Sequence, residues 1–153
     1  MIKNNDPFLI EFNVRMGDPE CQTILPLLEN DLSEIFFDCC VGKLSEKKIK
    51  LSNKKSICIV LCSKGYPEDY KKDSEISKLN KLSLKDNEYI YHAGTKLKDN
   101  KILNSGGRVL NFVSTSNNLK ESRDDLIKLI KRLDWENGFF RKDIGFKIID
   151  KWE

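Results

Sequence analysis

Residues 9–22 read LIEFNVRMGDPECQ. From Pro7 to Met16 the chain alternates, with Ile10, Phe12, Val14 and Met16 on one side and Glu11, Asn13 and Arg15 on the other. That period of two predicts a half-buried β-strand. Gly17-Asp18-Pro19 then marks a turn, and the period changes. Ile24, Leu27, Leu28, Leu32, Ile35, Phe36 and Cys39 recur at helical spacing, with Gly42 placed to end the helix and Pro26 at a break or a first-turn position. The opening of the chain is expected to run strand, turn, helix.

Residues 43–55, KLSEKKIKLSNKK, are rich in Lys and carry no sustained apolar stripe, which suits a boundary between two units. A solvated linker or edge strand is one reading of it. A nucleic-acid-binding segment is the other, but that would want aromatics interleaved with the cations, and there are none. From Ser56 onward short strands are expected at Ile57 to Cys62, Glu75 to Leu79, Tyr89 to Ala93 and Arg108 to Thr115, separated by turn chemistry in KGYPEDY, KDN and NSGG. One clear helix follows, capped by Asn117 or Asn118 and burying Leu119, Leu126, Ile127, Ile130 and Leu133. The tail FFRKDIGFKIID is expected to form a loop and a short strand packing back on the sheet. The second unit is thus an antiparallel sheet with a helix, an α+β arrangement.

A chain of 153 residues has room for one or two compact domains. Hydrophobic residues make up 39% and charged residues 33%, and no apolar run approaches the ~20 residues of a membrane-spanning helix. The first ten residues, MIKNNDPFLI, lack the features of a secretory signal. Five cysteines (Cys21, Cys39, Cys40, Cys58 and Cys62) form an odd set without a C-x-x-C pair. They are expected to be buried small side chains in a reducing cytoplasm rather than disulfides or zinc ligands. Of 27 basic residues only Arg15, Arg108, Arg123, Arg132 and Arg141 are Arg. Lysine cannot replace a planar two-pronged donor, so the few arginines are informative.

Strand geometry spaces Glu11, Asn13 and Arg15 at steps of about 7 Å along one face. A carboxylate and an amide oxygen are hard ligands suited to Mg²⁺, which fills its other positions with water and nucleotide phosphates. Arg15, one step on, is placed to hold a phosphoryl or acyl-phosphate oxygen through parallel hydrogen bonds. A half-exposed strand with mixed polar residues gives the same pattern. A second constellation is His92-Ala93-Gly94-Thr95-Lys96 followed by Ser105-Gly106-Gly107-Arg108. Glycine backbone approaching an anion, with Lys96 and Arg108 as a clamp, is one reading, and a hairpin with a glycine turn is the other. His92 is expected to make a structural hydrogen bond. Tyr66 and Pro67, in a turn after a buried strand, line either a pocket or a plain loop. No G-x-x-x-x-G-K-[ST] and no G-x-G-x-x-G is present.

EFNVRMGDPECQ, ILPLLENDL, VLCSKGYPEDY, YHAGTK, SGGRVL and FRKDIG occur in the order that resembles the phosphoribosylamine-glycine ligases, or glycinamide ribonucleotide synthetases, a family of ATP-grasp enzymes of purine synthesis. The resemblance covers essentially the whole chain. It implies that residues 1–45 are the last strand and helix of an ATP-grasp domain and that 46–153 are the C-terminal domain. It implies a ligase that joins glycine to 5-phosphoribosylamine through a glycyl phosphate, with ATP as co-substrate and Mg²⁺ (or Mn²⁺) as cofactor. Glu11 and Asn13 match the family's metal ligands, and Arg15 the residue facing the phosphoryl group. Asp18 resembles a contact for the amine or glycine end of the substrate. Lys96 and Arg108 are similar to the pair that holds the ribose 5-phosphate in related enzymes.

In that family this region is only about the last third of the polypeptide, and Met1 aligns inside a strand, so Met1 is expected to be an internal methionine. The isolated chain is expected to be inactive, and its cut-short hairpin edge prone to association. The partners implied are glycine, 5-phosphoribosylamine and ATP, together with the missing N-terminal part of the enzyme or a second copy, with neither nucleic acid nor a membrane. Three other readings stand beside this one: a non-catalytic subunit that completes a separate N-terminal piece, another purine-pathway ATP-grasp ligase, and a small basic binding module using the Lys-rich segment.

Overall fold

The computed structural model describes residues 1–149. Ile2–Lys3 (β1) and Asp6–Pro7 (β2) pair as a short antiparallel hairpin. Its turn residues Asn4 and Asn5 both have positive φ (53° and 67°), a conformation that asparagine tolerates and that two-residue hairpin loops require. There the expected strand from Pro7 to Met16 stops. Residues 8–16 belong to no strand, with Phe12 82% and Val14 97% exposed. A strand needs a neighbour to satisfy its ladder, and among the described residues none runs beside this segment.

The helix expected as one piece is divided. Glu20–Ile24 (α1) runs into a 3-10 turn at Leu25–Leu27, and Leu32–Cys40 (α2) follows separately. Pro26 lies inside the 3-10 turn, where its missing N–H needs no partner. After the turn Leu28 is extended and bridges to Leu51. The Asp31 carboxylate restarts the helix by accepting from the backbone N–H groups of Ser33 at 2.8 Å and Glu34 at 3.2 Å. At the far end Gly42 is left-handed (φ 74°), Lys43 N–H donates to the Asp38 carbonyl at 2.8 Å, and Gly42 N–H donates to that of Cys39 at 3.3 Å. These two bonds are the glycine stop anticipated for this position.

The Lys-rich stretch is solvated, with only Lys47 and Ser52 short of full exposure, but it is tied down at several points. Glu29 N–H donates to the Lys50 carbonyl at 3.0 Å, Ser52 N–H donates to that of Leu27 at 2.8 Å, and Lys47 pairs with Glu34 at 2.8 Å and Asp38 at 3.0 Å.

Beyond it come Lys55–Ser63 (β3), Glu88–His92 (β4), Thr95–Lys98 (β5), Lys101–Asn104 (β6), Arg108–Ser116 (β7), Leu119–Leu133 (α3), Gly138–Phe139 (β8) and Phe146–Ile149 (α4). The sheet order is β4-β7-β3-β8, antiparallel throughout, and β5 with β6 makes a separate hairpin turned by Asp99 and Asn100 at positive φ. The strand expected at Glu75 to Leu79 is reduced to a single bridge between Glu75 and Leu103 followed by a 3-10 turn. Asn118 caps α3, accepting from Lys120 N–H at 3.0 Å and Glu121 N–H at 3.1 Å. The tail differs from its expected form: its strand residues are Gly138–Phe139 and a short helix replaces the final strand, while Asp150 lies outside the described residues.

The core follows from alternation along β3. Ile57, Ile59 and Leu61 share one face with Leu110 and Phe112 of β7, and α3 covers it with Leu126, Leu129, Ile130 and Leu133. The opposite face carries Cys58, Val60 and Cys62 of β3, Asn111 and Val113 of β7, and Tyr89 and Tyr91 of β4, which the strand register sets side by side. Against that second face lie α1 and the 3-10 turn. The cysteines depart from the buried positions expected of them. All five are free and none is fully buried: Cys21, Cys58 and Cys62 are half-buried, and Cys39 and Cys40 are exposed because α2 fully buries Ile35 alone among its residues. No helix among the described residues is long and apolar enough to cross a membrane.

Candidate functional site

The turn at Gly17–Glu20 is fixed by its own polar groups. Gly17 N–H donates to the Glu20 carboxylate at 2.7 Å, Cys21 N–H donates to the Gly17 carbonyl at 2.9 Å, and the Thr23 hydroxyl donates to the Pro19 carbonyl at 2.9 Å. With α1 packed on the second face of the sheet, this turn delivers Asp18 to the start of β7. There Arg108 Nη1 donates to the Asp18 backbone carbonyl at 2.7 Å and Nη2 lies 3.4 Å from Oδ2. Gln22 Nε2 donates to Asp18 Oδ1 at 2.8 Å, and Asn111 Nδ2 lies 3.5 Å from the same oxygen. Residues 90 positions apart in the chain, Asp18 and Arg108, therefore meet at one seam between the turn before α1 and the start of β7.

Beneath the seam the environment disfavours charge on the thiols. Burial, followed by the Asp18 carboxylate, pushes the Cys58 thiol up to about 12 against the opposing pull of the Thr23 hydroxyl. Burial likewise raises Cys62, with Arg108 pulling the other way, and raises the Tyr91 phenol beside Tyr89.

A backbone crossing sets where Arg108 emerges. Gly94 N–H donates to the Arg108 carbonyl at 2.8 Å, while the Gly94 carbonyl accepts from Ser105 N–H at 2.8 Å and Gly106 N–H at 3.2 Å. A Cβ on Gly94 would lie 2.6 Å from the Arg108 carbonyl oxygen, and the ring of Tyr66 occupies the place a Cβ on Gly107 would need. Glycine at 94 and 107 is thus required by close packing, and the Gly106 N–H is already engaged. The Tyr66 turn roofs this crossing. Lys96 is engaged elsewhere: it pairs with Asp73 and holds that carboxyl below its usual range. His92 Nδ1 lies 2.8 Å from the Thr95 hydroxyl, a structural bond within the turn.

Glu11, Asn13 and Arg15 are exposed. Asn13 Nδ2 donates to Glu11 Oε1 at 3.1 Å, which puts the two side chains on one side of the chain, and Arg15 Nη1 donates to the neighbouring Met16 carbonyl at 2.9 Å. One carboxylate and one amide supply two hard oxygens once the amide is rotated. That donor set fits a magnesium ion that keeps water and phosphate oxygens in its remaining positions. Among the described residues no cluster of three His, Cys, Asp or Glu offers an all-protein cage.

Sequence reasoning missed Gln22 and Asn111, the two amides on Asp18. The available signal was Asn111 itself, a lone amide inside the apolar run 109–113.

A family model described as "Phosphoribosylglycinamide synthetase, C domain" matches residues 56–147. The chain is 42% identical to a phosphoribosylamine--glycine ligase of Caldanaerobacter subterraneus subsp. tengcongensis over 95% of its own length and 34% of the relative's. It is 42% identical to a bifunctional purine biosynthetic protein of Dictyostelium discoideum over 95% of its length and 18% of the relative's. A crystal structure of phosphoribosylamine--glycine ligase from Thermotoga maritima superposes with a TM-score of 0.68 at 29% identity, covering 94% of this chain and 34% of that one. The chain therefore spans about a third of the length of the ligases it matches, or less.

Proposed function

We propose, from the premise that this chain belongs to the phosphoribosylglycinamide synthetase C-domain family, that it forms the closing third of an ATP-dependent ligase joining glycine to 5-phosphoribosylamine in purine synthesis. Residues 1–45 are the last strand and helix of its ATP-grasp portion, and residues 46–153 are its C domain. Two features of the first unit support the division. Residues 8–16 carry a strand's alternation without a partner, and α2 exposes Phe36, Phe37 and Val41. Apolar surface of that kind suits cover by the upstream two thirds that the related ligases possess.

In the reaction the γ-phosphoryl group of ATP passes to the glycine carboxylate, giving glycyl phosphate and ADP. The phosphoribosylamine nitrogen then attacks the acyl carbon and expels phosphate. Arg15 grips phosphoryl oxygens with its planar donor pair. Glu11 and Asn13 would hold magnesium or manganese, which would supply neutralisation of the charge on the phosphates. Asp18 accepts hydrogen bonds from an amine, and the ribose 5-phosphate is taken by Arg108 and by Lys96, which exchanges its exposed pairing with Asp73 for the phosphate. The contact of Arg108 with Asp18 is the observation that carries this reading, because it brings the turn that follows Arg15 to the glycine-flanked start of β7. Five free thiols suit a reducing cytoplasm.

The test is formation of glycinamide ribonucleotide with coupled ADP release. The 153-residue chain alone is expected to give none, and the polypeptide completed with the upstream two thirds of a related ligase is expected to give product that requires both glycine and phosphoribosylamine. A completed polypeptide that consumes ATP independently of either amine overturns the reading. Supplying the upstream piece as a separate chain decides whether the exposed apolar face also serves docking between chains.

A further inference from the structure

Three side chains hold Asp18, and two of them do so in an arrangement that weakens the fold. Gln22 and Asn111 each turn an amide nitrogen toward Asp18 Oδ1 (2.8 and 3.5 Å). The carboxylate accepts only, so flipping either amide would set oxygen against oxygen; their orientation is dictated by Asp18. The consequence falls on the other ends of the amides. Gln22 Oε1 and Asn111 Oδ1 are both buried without a partner, and Asn111 is 0% exposed. Buried acceptors of this kind cost stability, and native folds keep few of them. Two on one carboxylate mark a place where the orientation of that group is maintained against stability, as happens at functional sites.

We propose that Gln22 and Asn111 are positioning residues that set the direction of the Asp18 carboxylate toward the substrate amine, so that the C-domain sheet, through Asn111, helps build the amine site. The proposal rests on the role given to Asp18 in the reaction above. Arg108 completes the grip by holding the backbone carbonyl of Asp18 and approaching Oδ2. The Asp18 charge is also felt underneath by the raised Cys58 thiol. Each element contributes one restraint: α1 supplies Gln22, and β7 supplies Asn111 and Arg108.

The test uses the completed ligase with Gln22→Met, Asn111→Leu, Asp18→Asn and the double variant Gln22→Met/Asp18→Asn. KM is measured separately for glycine and phosphoribosylamine, with KM for ATP and the melting temperature alongside. Gln22→Met removes an orienting bond together with an orphaned oxygen. It is therefore expected to raise the KM of one amine substrate about tenfold, the low end of what losing an orienting partner costs, with KM for ATP and the melting temperature unchanged. The substrate whose KM responds identifies the amine. In the Asp18→Asn background the same Gln22→Met change is expected to add nothing. Asn111→Leu repeats the KM effect from the sheet side, and Gln22, only partly buried, keeps the test open if that variant fails to fold.

A Gln22→Met variant that melts earlier but keeps both amine KM values overturns the proposal in favour of a structural role. So does an effect that persists in full on Asp18→Asn. If wild-type completed enzyme makes product and Asp18→Asn leaves both amine KM values unchanged, the proposal fails together with Asp18's role, while the ligase reading stands. Absence of product from wild type is the separate failure of that reading.

Discussion

Replacing Gly94 by Ala tests the crossing that places Arg108. An added Cβ would lie 2.6 Å from the Arg108 carbonyl oxygen, 2.7 Å from Gly106 Cα and 2.8 Å from Gly106 N. All three are backbone atoms, so no side chain can rotate away. The Ser105–Gly107 turn must shift by several tenths of an ångström, straining the bonds that Gly94 makes to Arg108, Ser105 and Gly106. Overpacking of this kind costs about 1–3 kcal/mol, and loss of one hydrogen bond adds about 0.5–1.5 kcal/mol. The expected destabilisation is about 2–4 kcal/mol, a fall in melting temperature of about 5–15 °C for a chain of this size. Gly106→Ala supplies the control, since its Cβ would meet Gly94 Cα at 3.1 Å and the Arg108 carbonyl only at 3.7 Å; it should cost less than about 1.5 kcal/mol. Thermal unfolding followed by circular dichroism and by tryptophan fluorescence reads both. A Gly94→Ala protein melting within about 2 °C of wild type, or below which Gly106→Ala falls, refutes the crossing as described.

Thiol labelling near pH 8 should modify Cys39 and Cys40 rapidly and leave Cys58 untouched until the chain unfolds, because a thiol at about 12 has a thiolate fraction of roughly 10⁻⁴ there. Peptide mass spectrometry showing Cys58 labelled as fast as Cys39 would contradict its half-buried, charge-disfavouring setting. Acid should destabilise the fold in a defined window. Hydrogen bonds from Ser33, Lys96, Lys85, Lys78 and Arg141 hold the carboxyls of Asp31, Asp73, Asp125, Asp134 and Asp143 below their ordinary value of 3.8. As pH falls the unfolded chain takes up these protons first, so the stabilisation is complete above that value and is lost as pH drops through the depressed ones. The urea midpoint should hold level down to about pH 5 and decline below about 4, less steeply in high salt because these pairs are exposed. A midpoint that rises on acidification to about pH 3 would refute the sign.

What could be read from the sequence was whatever is complete within its own segment. β3 carries its alternation, β7 an apolar run interrupted only by Asn111, and α3 its full period with its own cap, so their positions follow from the pattern within a residue or two. The strand expected from Pro7 to Met16 failed for the opposite reason. Alternation records which side chains would face a core, not whether a neighbouring strand is at hand. A hairpin was one reading of residues 92–108, but with glycine at its turn; β5 and β6 form it with Asp99-Asn100, the pair that tolerates left-handed backbone, while Lys96, Lys98 and Lys101 mask the strand pattern. At the site, Asp18 and Arg108 stood out by residue type and by the turns around them. Their meeting did not, since it depends on α1 turning the Gly17–Glu20 segment onto the second face of the sheet.

The two units differ in what holds them. α3 buries Ser122, Leu126, Leu129, Ile130 and Leu133 against a four-stranded sheet, whereas α2 buries Ile35 alone and leaves Phe37 67% exposed. The sheet and α3 enclose a core of their own, while the segment before β3 is fastened to them through α1 and through the grip of Arg108 and Asn111 on Asp18. That fastening runs through Asp18 and Arg108, two residues of the candidate site. Geometry at the Asp18 carboxylate is therefore inherited from how α1 is joined to the sheet, and a change that loosens the joint must also redirect that carboxylate. A chain that needed only to be stable would have filled this seam with apolar side chains, as it did on the other face of the same sheet. Keeping a charged turn, two amides with unpartnered oxygens and an arginine there makes sense when the seam is where a charged ligand is to be held.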